Sequence, residues 1–215
     1  MKVKWLGHAS FLITSGKGTR IVTDPYTPGG ALSYAEIKES ADVVTISHEH
    51  FDHNNAAAVG GKPQVFKGPA PIQVKDVRLT GVPTYHDENK GGQRGNNMIT
   101  CMEMDGMRLC HLGDLGHPLS AEELAKIGKV DVLLTPVGGF YTINAATATD
   151  VAAGIKPKAI IPMHFKNDRC AFPISGVEDF LKDKKNVTQV NASEVEFKTG
   201  TLPAASQIMI LKPAL

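Results

Sequence analysis

The alternation of apolar and polar positions changes its rhythm about halfway along the chain. In the first half, short apolar runs are cut by Gly, Ser and Lys, so VKWLG, SFLIT and TRIVTD read as strands separated by turns. YAEIKE is expected to form one or two helical turns before a buried strand, ADVVTIS, and NNAAAV a short helix stopped by Gly60 and Gly61. QVFKG, VKDVRLTGVPTY, MITCMEM and MRLCHLG are further strand candidates, the last two joined by an Asp105-Gly106 hairpin turn. In the second half helix and strand alternate. SAEELAKIG offers Ser120 as N-cap, Glu123 three residues later and Gly128 as its stop. VDVLLTPV reads as a buried strand, TATDVAAGI as a helix ending before Pro157, KAIIPMH as a strand and GVEDFLKDK as an amphipathic helix. VTQV, EVEF and QIMIL complete the strands. The pattern predicts a single α/β domain over residues 1–215, with two sheets inside helical layers.

Composition narrows the class. The 215 residues can bury a core without staples. Charge is nearly balanced, 23 basic against 22 acidic residues with no long run of either sign. That argues against bulk electrostatic binding of nucleic acid or anionic lipid. Cys101, Cys110 and Cys170 are odd in number and show no CxxC spacing, which suits small apolar fillers in a reducing compartment. The opening MKVKWLGHASFLI has too brief an apolar run for a signal peptide, and no stretch reaches membrane-spanning length. A cytoplasmic protein is the expectation.

The chemistry is concentrated in TISHEHFDHN, where ADVVTI runs out into three histidines and an aspartate within six positions. On a strand, alternate residues share a face, so His48 and His50 point the same way. Asp52 and His53 follow where the chain turns and approach from another side. Metal–ligand distances of about 2.0–2.2 Å leave no room for all four around one ion. Two ions about 3.5–4 Å apart would use them all.

His48-Glu49-His50-Phe51-Asp52-His53 resembles the signature of the metallo-β-lactamase-fold hydrolases. That resemblance implies a four-layer αββα sandwich, with two mixed sheets flanked by helices. It also implies a later histidine, an acid and a last histidine, each closing a strand; His86 in VPTYHD, Asp114 in CHLGD and His164 in IIPMH stand in that order. WLGHASFLI, TDP, RGNN, HLGDLGH and PVGGFYTI further resemble the branch of metal-dependent hydrolases related to L-ascorbate-6-phosphate lactonase and N-acylphosphatidylethanolamine phospholipase D. By that resemblance His48, His50 and His86 hold one metal, Asp52, His53 and His164 the other, and Asp114 bridges them. Zn²⁺ is the default ion, with Mn²⁺, Fe and Ni²⁺ compatible with the same donors.

Around this set, the same resemblance implies that Asp24 in TDP lies beneath the site and fixes the tautomer of a ligand histidine, where by itself it reads as a turn aspartate. His8, after a strand and a glycine, reaches the site edge or packs. His111 is out of phase with Asp114, and His117 lines the pocket or is solvated. Arg94, in the pliable GGQRGNN loop, suits a phosphate or carboxylate. Gly138-Gly139 closes a buried strand, with Phe140 and Tyr141 either walling the pocket or simply packing; Asn144 stands where many relatives have an acid. The chemistry implied is attack by a metal-bridging hydroxide on an ester-type bond, a lactone or a phosphodiester, of a small anionic substrate. Asp52 and Asp114 are the catalytic carboxylates, Asp52 orienting the hydroxide or taking its proton. A nuclease of the same fold and a noncatalytic metal-binding or sensor module are the alternatives. No partner beyond a small-molecule substrate is implied, apart from a homo-oligomer formed edge to edge by the late strands.

Overall fold

The computed structural model describes residues 1–215 and builds two mixed sheets face to face. The smaller sheet takes β1 (Lys2–Gly7), β2 (Ser10–Thr14), β3 (Arg20–Thr23), β4 (Val43–Thr45), β5 (Gln64–Phe66) and the late β13 (Glu194–Glu196), in the order β13-β1-β2-β3-β4-β5. Its strands read as almost continuous apolar runs because both faces are covered. Val3, Trp5, Phe11, Ile13, Ile21 and Val43 enter the main core, while Leu6, Leu12, Val22, Val44 and Ile46 enter a second cluster on the outer face.

The larger sheet takes β6 (Ile72–Val74), β7 (Val77–Tyr85), β8 (Asn96–Met104), β9 (Met107–His111), β10 (Val132–Pro136), β11 (Ala159–Met163), β12 (Val187–Gln189) and β14 (Gln207–Ile210). Its order is β12-β14-β11-β10-β9-β8-β7-β6, parallel from β12 to β9 and antiparallel beyond. The Asp105-Gly106 turn joins β8 to β9 with both residues at positive φ, as a tight hairpin requires. Helices α1 (Ala121–Ile127), α2 (Ala145–Ile155) and α3 (Val177–Leu181) belong to this half. The Ser120–Glu123 capping box is formed in full.

Four expectations are corrected. YAEIKE is not helical. Its flanks make long-range bonds instead, from Ser33 N to Arg169 O and from Gly60 N to Glu39 O, and a run this short cannot nucleate a helix against them. Tyr34 and Ile37 from this segment close the outer cluster over the smaller sheet. NNAAAV keeps a single 3₁₀ turn, Ala56–Ala58. VKDVRLTGVPTY is not one strand, because a turn with Lys75 at positive φ makes the hairpin of β6 and β7. GVEDFLKDK is helical only over Val177–Leu181.

Strand direction is what positions the site. β1, β3 and β4 run the same way within the smaller sheet, as do β7, β9 and β11 within the larger one. The residues just beyond the C-terminal ends of these strands are His8, Asp24, the His48 segment, His86, Asp114 and His164. The backbone N–H of Met98 bonds Ser47 O at 2.9 Å and ties the two sheets together beside them.

Candidate metal centre

Three of these residues follow their strand in a left-handed conformation: His8 at φ 51°, Asp24 at 38° and His164 at 51°. Non-glycine residues rarely adopt it, and each instance costs about 1–3 kcal/mol that the surrounding structure must offset. The sharp turn aims each side chain back over the sheet edge. Gly7 precedes His8 because a Cβ there would lie 2.5 Å from Tyr34 Cδ1. The His8 carbonyl accepts from Trp5 Nε1 at 3.0 Å and from His164 N at 3.3 Å, so the Trp ring pins the turn.

Asp114 is the centre of the cluster and is 2% exposed. Its Oδ2 lies 3.2 Å from His86 Nε2, 3.2 Å from His164 Nε2, 3.3 Å from His53 Nε2 and 3.8 Å from His48 Nε2. Donor atoms of His48, His50 and His86 fall within 4.8 Å of one another, as do those of His8, Asp52, His53 and His164. The seven donors expected from the sequence are thus brought together, in two groups on either side of Asp114. His8 joins the second group, its Nε2 3.2 Å from Asp52 Oδ2. All are buried except His50, which faces the opening.

Asp24 lies beneath. Its Oδ2 accepts from His53 Nδ1 at 2.9 Å and from Ser47 Oγ at 2.5 Å, and its Oδ1 from Ser47 N at 2.8 Å. Ser47 Oγ also meets His48 Nδ1 at 2.9 Å. Asn97, likewise buried, accepts from Asp114 N at 2.9 Å while its amide donates to Leu112 O and Thr84 Oγ1. Neither Ser47 nor Asn97 was singled out from the sequence. The S in TISH and the second N in RGNN were the signals, meaningful only once the two sheets adjoin.

The electrostatics are those of a cation site. Burial pushes the carboxyls of Asp24, Asp52 and Asp114 upward, yet neighbouring imidazoles outweigh it and hold all three below the usual range. Burial lowers His8 to about 4 and His48 to about 3, keeping both rings neutral. His53 is the exception. Burial lowers it too, but Asp114 and Asp52 overcome that and raise it well above its ordinary value. His48 Nε2, His53 Nε2 and Asp114 Oδ1 are buried with no hydrogen-bond partner. Buried imidazole nitrogens and a carboxylate oxygen converging without partners fit a metal, which would displace the proton that Asp114 and Asp52 hold on His53.

The remaining candidates divide. Arg94 overhangs the opening, its Cζ 5.8 Å from the Tyr141 ring centroid. A pocket of about 290 Å³ over the cluster is bounded by Phe51, Arg94, Tyr141 and Phe172. Gly139, at φ 65°, turns the chain toward Phe140 and Tyr141. The tight approach falls one residue earlier, where a Cβ on Gly138 would sit 2.4 Å from His164 O. Asn144 caps α2 by accepting from Thr147 N. His111 faces away and contacts Ala9 O, and His117 Nε2 accepts from Tyr85 N.

Residues 2–164 match the beta-lactamase superfamily domain. A UPF0173 metal-dependent hydrolase from Thermococcus onnurineus is 30% identical over 77% of this chain and 84% of its own length. A second, from Archaeoglobus fulgidus, is 26% identical over 99% and 96%. A Thermotoga maritima structure, described as a candidate Zn-dependent hydrolase of the metallo-β-lactamase superfamily, superposes with a TM-score of 0.82. It shares 37% identity over 98% of this chain and 97% of that one. The fold is that of the metallo-β-lactamase superfamily. Within it, the chain belongs to the UPF0173 metal-dependent hydrolase family and is a metal-dependent hydrolase.

Proposed function

We propose that the protein hydrolyses an ester-type bond, a lactone or a phosphodiester, in a small anionic substrate, using two divalent ions. The observation that carries this reading is Asp114 Oδ2, set 3.2–3.3 Å from His53, His86 and His164 between two donor groups. His48, His50 and His86 would hold one ion, Asp52, His53 and His164 the other, and Asp114 both. The donors suit Zn²⁺ first, and Mn²⁺, Fe or Ni²⁺ with them. When bound, such ions acidify water toward neutral pH and polarise a scissile carbonyl or phosphoryl group. Asp52, kept anionic at the pocket edge, orients the attacking water and takes up its proton. His8 donates Nε2–H to Asp52 and holds that carboxylate in place. Asp24 fixes the ring of His53. Arg94 draws the anionic substrate in, while Gly139 shapes the Phe140-Tyr141 wall. The resemblance to the lactonase and phospholipase D branch puts lactones and phosphodiesters first among substrates to try.

The test is metal analysis with a substrate panel. Protein supplied with Zn²⁺ is expected to carry close to two equivalents and to turn over a lactone or a phosphodiester. Asp114→Ala is expected to reduce turnover by at least about 10³-fold with folding retained. Metal-free wild type after Zn²⁺ supply, or full activity in the variant, would refute the reading.

A further inference from the structure

A cleft of about 550 Å³ lies beside the metal donors rather than over them, between the end of β4 and the start of β8. It shares two lining residues, His50 and Arg94, with the pocket over the cluster. His50, the one exposed donor of the set, therefore stands on the boundary between two adjoining compartments. At about 290 Å³ the pocket over the cluster stands at the lower bound of ordinary ligand sites, roughly 300–1,000 Å³, whereas the adjoining cleft of about 550 Å³ lies well within it.

The two compartments differ in chemistry. Beyond the cluster, the wall is Phe51, Tyr141 and Phe172, with Phe140 against Tyr141 at 4.7 Å between ring centroids. Phe51 and Phe140, 54% and 64% exposed, present apolar rings to solvent beside this wall. The cleft, in contrast, carries side chains that can donate hydrogen bonds, Lys67, Arg94 and Asn96 among them. Arg94 makes no ion pair there and its guanidinium no hydrogen bond, and the Asn96 amide is equally free. Lys67 stands on the rim, paired at 2.9 Å with Glu49, the one carboxylate of the lining.

The placement of Arg94 is built, not incidental. The carboxylate of Asp87 accepts four backbone N–H groups, from Asn89, Gly91, Gln93 and Arg94, at 2.7–2.9 Å. The loop is thus wound around one buried anion, which fixes the Arg94 backbone and leaves its fork free for a ligand.

We infer that this cleft binds a polar substrate arm ending in a carboxylate or phosphate, with the scissile ester at His50 and an apolar group against Phe51, Tyr141 and Phe172. The substrate class is then an ester joining an anionic arm to an apolar portion. This rests on the hydrolytic reading above, and the experiment separates the two.

Three 4-nitrophenyl esters of equal chain length are compared on Zn-loaded protein: the hexanoate, the adipate monoester and the 6-phosphonohexanoate. At least one anionic ester is expected to exceed the hexanoate in kcat/KM by about tenfold or more, and the better one names the terminal group. Arg94→Met is expected to bring that ratio near one, and Lys67→Gln to lower it partway. In parallel, free adipate and free 6-phosphonohexanoate are titrated into the metal-loaded protein by NMR, and at least one of them is expected to shift the Asn96 amide and Arg94 Nε–H. No ester turnover with those shifts present would leave the anion site standing and remove the hydrolytic reading. Turnover without a charge preference, a preference untouched in Arg94→Met, or no shifts would overturn the cleft assignment.

Discussion

At the scale of single residues, one carboxylate controls two imidazoles. Ser47 has one hydroxyl proton, and its 2.5 Å contact with Asp24 Oδ2 is the shorter of its two. The other contact must then be donated by His48 Nδ1. His53 Nδ1 likewise donates to Asp24. This leaves His48 with a bare Nε2 toward one donor group and aims the Nε2 of His53 at the other, where a metal would take the place of its proton. Ser47→Ala breaks only the His48 arm, so metal affinity is expected to fall about 10–100-fold while Ser47→Thr retains it, measured by competition with a chelator. Gly113 is as constrained. At φ 57°, an added Cβ would meet Asn97 Oδ1 at 2.4 Å and Ser47 Cβ at 2.5 Å. Gly113→Ala is expected to cost about 2–4 kcal/mol in denaturant unfolding, because backbone strain and overpacking act together.

Among the elements, the loop wound on Asp87 makes its own prediction. Burial raises this carboxyl, but the four backbone N–H bonds win and lower it to about 2 from 3.8. A depressed carboxyl stabilises fully above its unfolded value and loses that contribution as pH falls toward the folded one. Amide protection over Asn89–Arg94 should therefore hold at neutral pH and fade between 3.8 and about 2. In Asp87→Asn the same amides should exchange about tenfold faster already at neutral pH, by NMR hydrogen exchange. The sequence showed some elements clearly. HEHFDH carries four donors in six positions at the end of an apolar strand, so its chemistry is local. Ser120 with Glu123, and Asp105-Gly106, are equally local signals. YAEIKE misled because its competitors, Arg169 O and Gly60 N, lie far along the chain. Asp87 gave no signal of its role, since nothing in YHDENKGGQRG shows four amides closing on one carboxylate.

For the whole molecule, the donors divide between the sheets. His48, His50, Asp52 and His53 follow β4 of the smaller sheet, whereas His86, Asp114 and His164 follow β7, β9 and β11 of the larger. Periodicity and the ordered histidines foreshadowed both sheets. The Asn97 and Ser47 contacts were hidden because they depend on how the sheets adjoin, which no local pattern encodes. Ligand binding stabilises by mass action, about 2.7 kcal/mol at a concentration of 100 times Kd. Zn²⁺ at that excess should raise the unfolding midpoint of chelator-treated protein by several degrees, read by calorimetry; no shift would count against a site made by both sheets. The Met98–Ser47 bond is the backbone tie beside that seam. Ions seated across it would rivet the sandwich shut at its catalytic rim. Stripping the protein would then free the rim to gape, and a protease would register the emptied molecule before any assay of chemistry did.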